Sequence, residues 1–456
     1  MNGDDLIAMG YQPGPHFKTV LTILNEREHS NDEIATLLAQ HEPQHVQLQL
    51  QDSAPCIYNI TADNADEQAN IDAVKRTMDI VLQTPVVTEA VIMPDACPAG
   101  AVGVIPVGGV VATDGAIVPG MHSADICCSL MMTIVDNVEP PQLLDAVHKA
   151  THFGPGGRGR GQQFKLPETL KQAMHDNCYL QDMTSIAQEH MGTQGDGNHF
   201  AYVGTLESTG QTVLVTHHGS RAVGARLYKK GMQVADKLRQ KICPQARKAN
   251  AWIPADSQEG EAYWQALQII REWTKQNHSH IHDTAVKLVD GDVAHRRWNE
   301  HNFVFRDDMT FYHAKGATPI QNSFLPDTDG VQIIPLNMAQ PILLVSGERN
   351  ERNLGFAPHG AGRNKSRTAH MKSLAGRTPE EVIASETKGI DARFWCGKHD
   401  LSELPSAYKN ADSVQADMKR FGLADVQDRV LPHGSIMAGD WQQDAPWRRK
   451  KKRKGL

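Results

Sequence analysis

The chain has 456 residues, 40% hydrophobic, 22% charged and 6% aromatic, with seven cysteines and a net charge of −7. That composition is of the soluble globular type, and no uninterrupted apolar run nears the roughly 18 residues a membrane span needs. An odd, unevenly spaced set of cysteines excludes a disulfide framework, the overall charge gives no ground for a nucleic-acid partner, and Met1–Asp5 lacks the start of a secretion signal, so a cytoplasmic setting is expected.

Ser30 and Glu33 form a capping box ahead of Ile34, Leu37 and Leu38, which predicts a short helix. Val46, Leu48 and Leu50 alternate with glutamines as in a half-buried strand. Ile71, Val74, Met78 and Val81 recur at helical spacing before Pro85. Residues 1–85 are taken as an N-terminal region packed on a main domain of residues 86–440, followed by a basic tail, 441–456.

Ala90–Asp95 reads as a short strand ending in an acid, and the glycine-rich Pro98–Gly120 after it reads as a loop of the kind that lets backbone amides approach phosphate. Leu130–Val135 resumes as a strand, leaving Asp125 and Cys128 on the loop before it. Gly154–Gly161 is a basic glycine loop, equally a surface linker or a set of contacts to RNA phosphates. Thr212–Val215 is a strand delivering His217 and His218 to a turn. Helices are predicted over 222–242 and from an Asp256/Glu259 capping box onward.

His278, His280 and His282 alternate, but alternate residues share a face only on a strand. On a helix they are surface or interhelical histidines. Met309–His313 and Pro341–Val345 are strands, Thr378 caps one helix, and Asp412 with Gln415 caps another. Strands and helices mix throughout without a regular βαβ rhythm, which predicts one large mixed α/β (α+β) domain. Arg448–Lys454 is a run of seven basic residues, either a solvated tail or a tether for a polyanion.

Chemistry concentrates in five places. Asp125 and Cys128 form a D-x-x-C pair, and a thiolate can bridge two metals. Gly197-Asn-His199, His217-His-Gly-Ser-Arg221, Glu300-His301-Asn302 and His359-Gly-Ala-Gly-Arg363 add histidines in loop-like contexts. Any one of these could merely satisfy a loop hydrogen bond; together they suggest one centre. Ligand softness alone suggests zinc. His359 differs, because Gly-Ala-Gly and Arg363 suit a phosphate and a histidine there can be a nucleophile at phosphorus. Its role as a metal ligand stays open.

The set Met-Pro-Asp95, Asp125-x-x-Cys128, Gly-Asn-His199-Phe, His217-x-Gly-Ser-Arg221, His301-Asn302, His313-x-Lys-Gly-Ala-Thr318, His359-Gly-Ala-Gly-Arg363 and Ala-Tyr-Lys409 resembles the RtcB family of RNA ligases, in the family's order, over roughly residues 70–440. The resemblance implies joining of an RNA 3′-phosphate or 2′,3′-cyclic phosphate to a 5′-hydroxyl, with GTP and two Mn²⁺ ions. Asp125, Cys128 and His199 would hold one ion; Cys128, His217 and His301 would hold the other. His359 would take GMP from GTP, with Asp95 orienting its ring. Asn198, His301, Asn302, Asn337, His359, Gly360, Ala361, Gly362 and Arg363 would contact the nucleotide. RNA and GTP are the implied partners, and an accessory activator protein is left open.

Several positions depart from the family pattern. Cys97 stands where Met-Pro-Asp-x-His has its histidine, and Tyr202 where Asn-His-Phe-x-Glu has its acid. Pro-Gly-Ser-Met-Gly becomes Pro335-Leu-Asn-Met-Ala339, and the terminal Val-Lys-Gly becomes Ile436-Met-Ala-Gly439. These changes fall where the family contacts guanine, so a weaker preference for GTP over ATP is expected. The rival readings are a metal-dependent cyclic phosphodiesterase that does not ligate and a non-catalytic RNA-binding paralogue.

Overall fold

The computed structural model describes residues 1–11, 16–41, 47–325 and 328–441. Val46 and the basic run Arg448–Lys454 lie outside them. The chain divides into a small unit, Met1–Leu48 with Lys241–Pro244, and a large one formed by Gln49–Gln240 and the chain from Gln245.

In the small unit, helices Gly3–Ala8, His16–Leu24 and Asn31–His41 close around Leu6, Phe17, Val20, Leu24, Ile34 and Leu38. The Ser30/Glu33 box forms: Ser30 N–H donates to Glu33 at 3.0 Å, and Glu33 N–H to Ser30 Oγ at 3.3 Å. The expected strand around Leu48 does not. Residues 47–50 have no regular structure, and Leu48 makes one backbone bond, to Ile242 O at 2.8 Å. Alternation alone makes no strand without a neighbour to complete the ladder.

The large unit carries two main sheets. The first has five strands in the order Cys56–Tyr58, Val87–Cys97, Val107–Asp114, Thr310–Lys315 and Asn302–Asp307. The second runs Gln332–Ile334, Ile342–Ser346, Asp425–Met437, Phe200–Leu206, Thr212–His218, Ser129–Asp136 and Asp292–Glu300, with Asp391–Phe394 also paired to Asp425–Met437. With the surrounding helices this is a mixed α/β architecture. The helix Ala65–Val81 belongs to this unit.

Part of the glycine-rich run is sheet, not loop. Gly108 and Gly109 sit in Val107–Asp114, where Gly109 pairs with both Ile92 and Lys315. The lack of a side chain serves close backbone approach inside a buried strand. Two helix starts also differ from expectation. Gln258–Lys287 is capped by Ser257, whose Oγ accepts from Gly260 N–H, and Ala411–Arg420 by Asn410, whose side chain accepts from Asp412 and Ser413 N–H. Ser257 lies one residue after the expected Asp256 and Asn410 two before the expected Asp412, and each has the extended backbone that a cap requires.

His278 and His282 are not surface residues. Both are fully buried on helix Gln258–Lys287, against the second sheet. Thr216 Oγ1 bridges them, 2.6 Å from His278 Nδ1 and 2.7 Å from His282 Nε2, and Thr133 and Ser129 take the remaining ring nitrogens. His280 stacks on Phe164.

Candidate metal centre and nucleotide cavity

Strand ends and one loop bring the ligand atoms together. His217 lies near the end of strand Thr212–His218, paired with Leu130, one residue beyond the start of strand Ser129–Asp136. Cys128 immediately precedes that start, and His301 follows the adjoining strand Asp292–Glu300. The His301 N–H donates to Cys128 O at 2.9 Å, which locks those two loops together. Cys127, before the thiol, has a positive φ of 57°, a turn that aims Cys128 inward.

Two overlapping clusters result. Asp125, Cys128 and His199 offer ligand atoms that all lie within 4.8 Å of one another, and so do Cys128, His217 and His301. Cys128 belongs to both. Its Sγ is 3.2 Å from His217 Nε2 and 3.6 Å from His199 Nε2; His199 Nε2 is 3.0 Å from Asp125 Oδ2, and His217 Nε2 is 3.2 Å from His301 Nε2. Close approach is tight elsewhere too: a Cβ on Gly219 would overlap the Asp125 carboxylate.

The donor chemistry fits divalent cations. His199 Nδ1 lies 2.7 Å from Gln194 O and His217 Nδ1 lies 3.1 Å from Asn198 O. A carbonyl only accepts, so both Nδ1 atoms carry the proton and both Nε2 atoms present lone pairs. Those lone pairs face a carboxylate oxygen, a sulfur and another imidazole nitrogen, a convergence of acceptors that a cation resolves. Burial lowers His217 to about 3 and holds His301 well below the usual histidine range, so both are in the neutral, ligating form. Burial and the Asp125 carboxylate push the Cys128 thiol up, and a bound cation is what would release its proton.

His359 lies beside this centre and outside either cluster. Its ring is 4.9 Å from that of His301. Asp95, fully buried, accepts from His359 Nδ1 at 2.5 Å and from its backbone N–H at 3.1 Å. Lys409 Nζ donates to Pro94 O at 2.9 Å and Ala96 O at 2.7 Å, bracketing Asp95. Gly362 has a φ of +71°, and a Cβ there would collide with the Asp95 backbone. The glycine thus serves the approach of that strand, where the sequence suggested the approach of a phosphate.

A cavity of about 800 Å³ opens on His359. Asn198, Asn337, Gly360, Ala361, Gly362 and Arg363 line it, as do His217, Phe200, Tyr202 and Cys97. Asn302 does not line it. Its Oδ1 accepts from Gly316 N–H at 2.7 Å and its Nδ2 reaches Asp125 O at 3.4 Å, so it clamps the loop that carries Asp125 and Cys128. His301 is likewise absent from the lining. Tyr202 donates its hydroxyl to Val430 O at 2.9 Å. His313 accepts the Val118 N–H at 2.8 Å, a structural role.

Arg363 is not a free fork: it donates to Ser402 O at 2.9 Å and to Glu403 at 3.3 Å. Glu403 also accepts from Arg367 at 2.5 Å and Tyr408 at 2.6 Å. This buried carboxylate is not identified in the sequence, where the only hint is the surplus charge of Arg363 and Arg367 in one short segment. In the basic glycine loop, Arg158 is turned inward onto Ala150 O and Gly192 O, while Arg160 is exposed.

A family model described as tRNA-splicing ligase RtcB matches residues 152–438. Asp95, Asp125 and Cys128 precede that segment. Relatives named tRNA-splicing ligase RtcB span more of the chain. One from Archaeoglobus fulgidus is 25% identical over 80% of this chain and 90% of its own length. Those from Thermococcus kodakarensis and Aeropyrum pernix are each 26% identical, over 72% of this chain and 84% of their own length.

Proposed function

Because the chain belongs to the RtcB family, we propose that it is an RNA ligase, joining a 3′-phosphate or 2′,3′-cyclic phosphate end to a 5′-hydroxyl end through a nucleotidyl–histidine intermediate. The observation that supports this most is the placement of His359. Its Nδ1 is held by Asp95 at 2.5 Å, its ring is 4.9 Å from a candidate metal ligand, and it opens on a nucleotide-sized cavity.

Asp95 accepts a hydrogen bond from the Nδ1–H, which leaves the Nε2 lone pair of His359 available as the nucleophile. Attack on the α-phosphorus of GTP would form an N–P bond and break the bond to the β-phosphate, releasing pyrophosphate. As positive charge develops on the imidazole, the Asp95 carboxylate stabilises it. A 3′-phosphate oxygen of the RNA would then take the GMP from His359, and the 5′-hydroxyl would displace GMP from the activated phosphate. A cyclic end would first be opened by water to the 3′-phosphate.

Asp125, Cys128 and His199 would hold one divalent ion and Cys128, His217 and His301 a second, read as Mn²⁺ from the resemblance. Such ions screen phosphate charge and lower the pKa of a bound hydroxyl. Arg363 and Arg367, aligned by Glu403, supply fixed positive charge at the cavity wall.

The relatives' name makes tRNA halves the first RNA to test. Incubation of the full chain with Mn²⁺, GTP and two RNAs bearing these ends should give a joined strand that keeps the 3′-phosphate label at a phosphatase-resistant junction. Opening of cyclic ends with no joined strand would contradict the ligase reading.

A further inference from the structure

We propose that the nucleotide site accepts either purine, so that ATP competes with GTP for the cavity beside His359. This rests on the nucleotide-using ligase reading above.

The second sheet orders the cavity. The Phe200 ring lies 5.2 Å from that of His217, and Phe200 pairs with His217 on one side and Met437 on the other. Tyr202 follows on the same face of that strand, paired with Ser435. In this proposal the base of a nucleotide whose α-phosphate sits at His359 lies along Phe200, Tyr202 and Met437, the apolar part of the lining, with Met338 and Ile342 also in the wall.

Guanine differs from adenine in offering two neighbouring donors, N1–H and the 2-amine. A site that selects it must answer with paired acceptors, best with a carboxylate. Among the described residues, the carboxylates lining this cavity are Asp66 and Glu403. Glu403 is engaged by Tyr408, Arg363 and Arg367, and Asp66 lies 3.2 Å from Lys365 Nζ. The Tyr202 hydroxyl is engaged with Val430 O. Asn337 Oδ1 accepts from Ala339 N–H at 3.0 Å, which fixes the amide and presents its Nδ2 as a neutral donor. A donor finds an acceptor on both purines: O6 or N7 of guanine, N7 or N1 of adenine. Among the described residues the base-facing wall thus carries stacking surface with neutral amide and hydroxyl groups, and no carboxylate free of an ion pair to answer both donors of the guanine edge.

The test uses the full-length protein with Mn²⁺ and a fluorescent GTP analogue, displaced by GTP or by ATP. The two nucleotides should displace it with affinities within about tenfold of each other, since a charged hydrogen bond of the selecting kind is worth roughly one to two orders of magnitude. A larger preference for GTP overturns the inference and leaves the ligase reading standing; failure of the analogue and of both nucleotides to bind overturns the two together. Asn337→Asp keeps the acceptor for Ala339 and adds a carboxylate oxygen. It should raise the GTP-to-ATP affinity ratio by about tenfold or more. An unchanged ratio would place the base elsewhere and sink the proposal.

Discussion

One oxygen of Asp95 holds His359 twice, accepting its Nδ1 at 2.5 Å and its backbone N–H at 3.1 Å. An ionised carboxylate accepts only, so this contact fixes the tautomer of the imidazole as well as its direction. Asp95→Asn should fold and keep the tautomer, because its amide oxygen can stand in the place of Oδ2 and accept both N–H groups. What it loses is the negative charge beside the imidazolium that forms on attack. Adduct formation should fall by about 10–100-fold, the worth of a charged hydrogen bond over a neutral one, with metal content unchanged. Labelling at the parent's rate would show that the Asp95 charge does not assist His359.

Cys128 is shared by both candidate clusters, so its loss should be felt twice. Elemental analysis of Cys128→Ala after loading and desalting should find both divalent ions lost. His199→Ala should lose one and keep the other. Two ions retained by Cys128→Ala would contradict a bridging sulfur.

Lys409 tests positioning at a distance. Its Nζ bonds Pro94 O and Ala96 O, and Ala96 O has a second donor in Asn70 while Pro94 O has no other side-chain partner among the described residues. Lys409→Met should cost about 1–3 kcal/mol of stability by orphaning one carbonyl. It should also slow adduct formation while both metals stay bound. Loss of metal in this variant would mean that Lys409 supports the wider fold and not the Asp95 strand.

Several buried histidines make the fold acid-sensitive. Burial lowers His122 to about 4 and His313 to about 3, and holds His282 well below its usual value. With folded values depressed, the unfolded chain binds protons first, so stability declines as pH falls through about 6.5, until each folded value is passed. Each such histidine should remove about 2 kcal/mol between neutrality and pH 5. Denaturant titrations of chelator-treated protein at pH 7.5 and 5 measure this. Equal stability at the two values would show that these rings are protonated inside the fold or reached by water.

The sequence disclosed the ligating side chains because their chemistry is carried by residue type: a D-x-x-C pair and histidines beside glycine and asparagine. It did not disclose Gln194 or the second-layer use of Asn198, since those residues orient His199 and His217 through backbone carbonyls, which every residue has. Glu403 stayed hidden because its arginine partners lie 36 and 40 residues away. The alternating histidines were correctly placed on a helix, but their burial depended on Thr133 and Thr216 from distant strands. The glycines of Val107–Asp114 look like a loop in sequence, and only the pairing on both sides shows a strand. Tyr202 illustrates the same limit: the missing acid was visible, whereas the engagement of its hydroxyl with Val430 O was not.

The most direct test of the account is covalent labelling. The full chain, incubated with Mn²⁺ and α-labelled GTP, should acquire one nucleotidyl group whose bond is labile in acid and stable in base, as a phosphoramidate is, and peptide mapping should place it on His359. His359→Ala should take no label, yet should still join an RNA supplied with a pre-activated 3′-guanylyl end. Label mapped to another residue, or full labelling of His359→Ala, would contradict the assignment of His359 as the nucleophile.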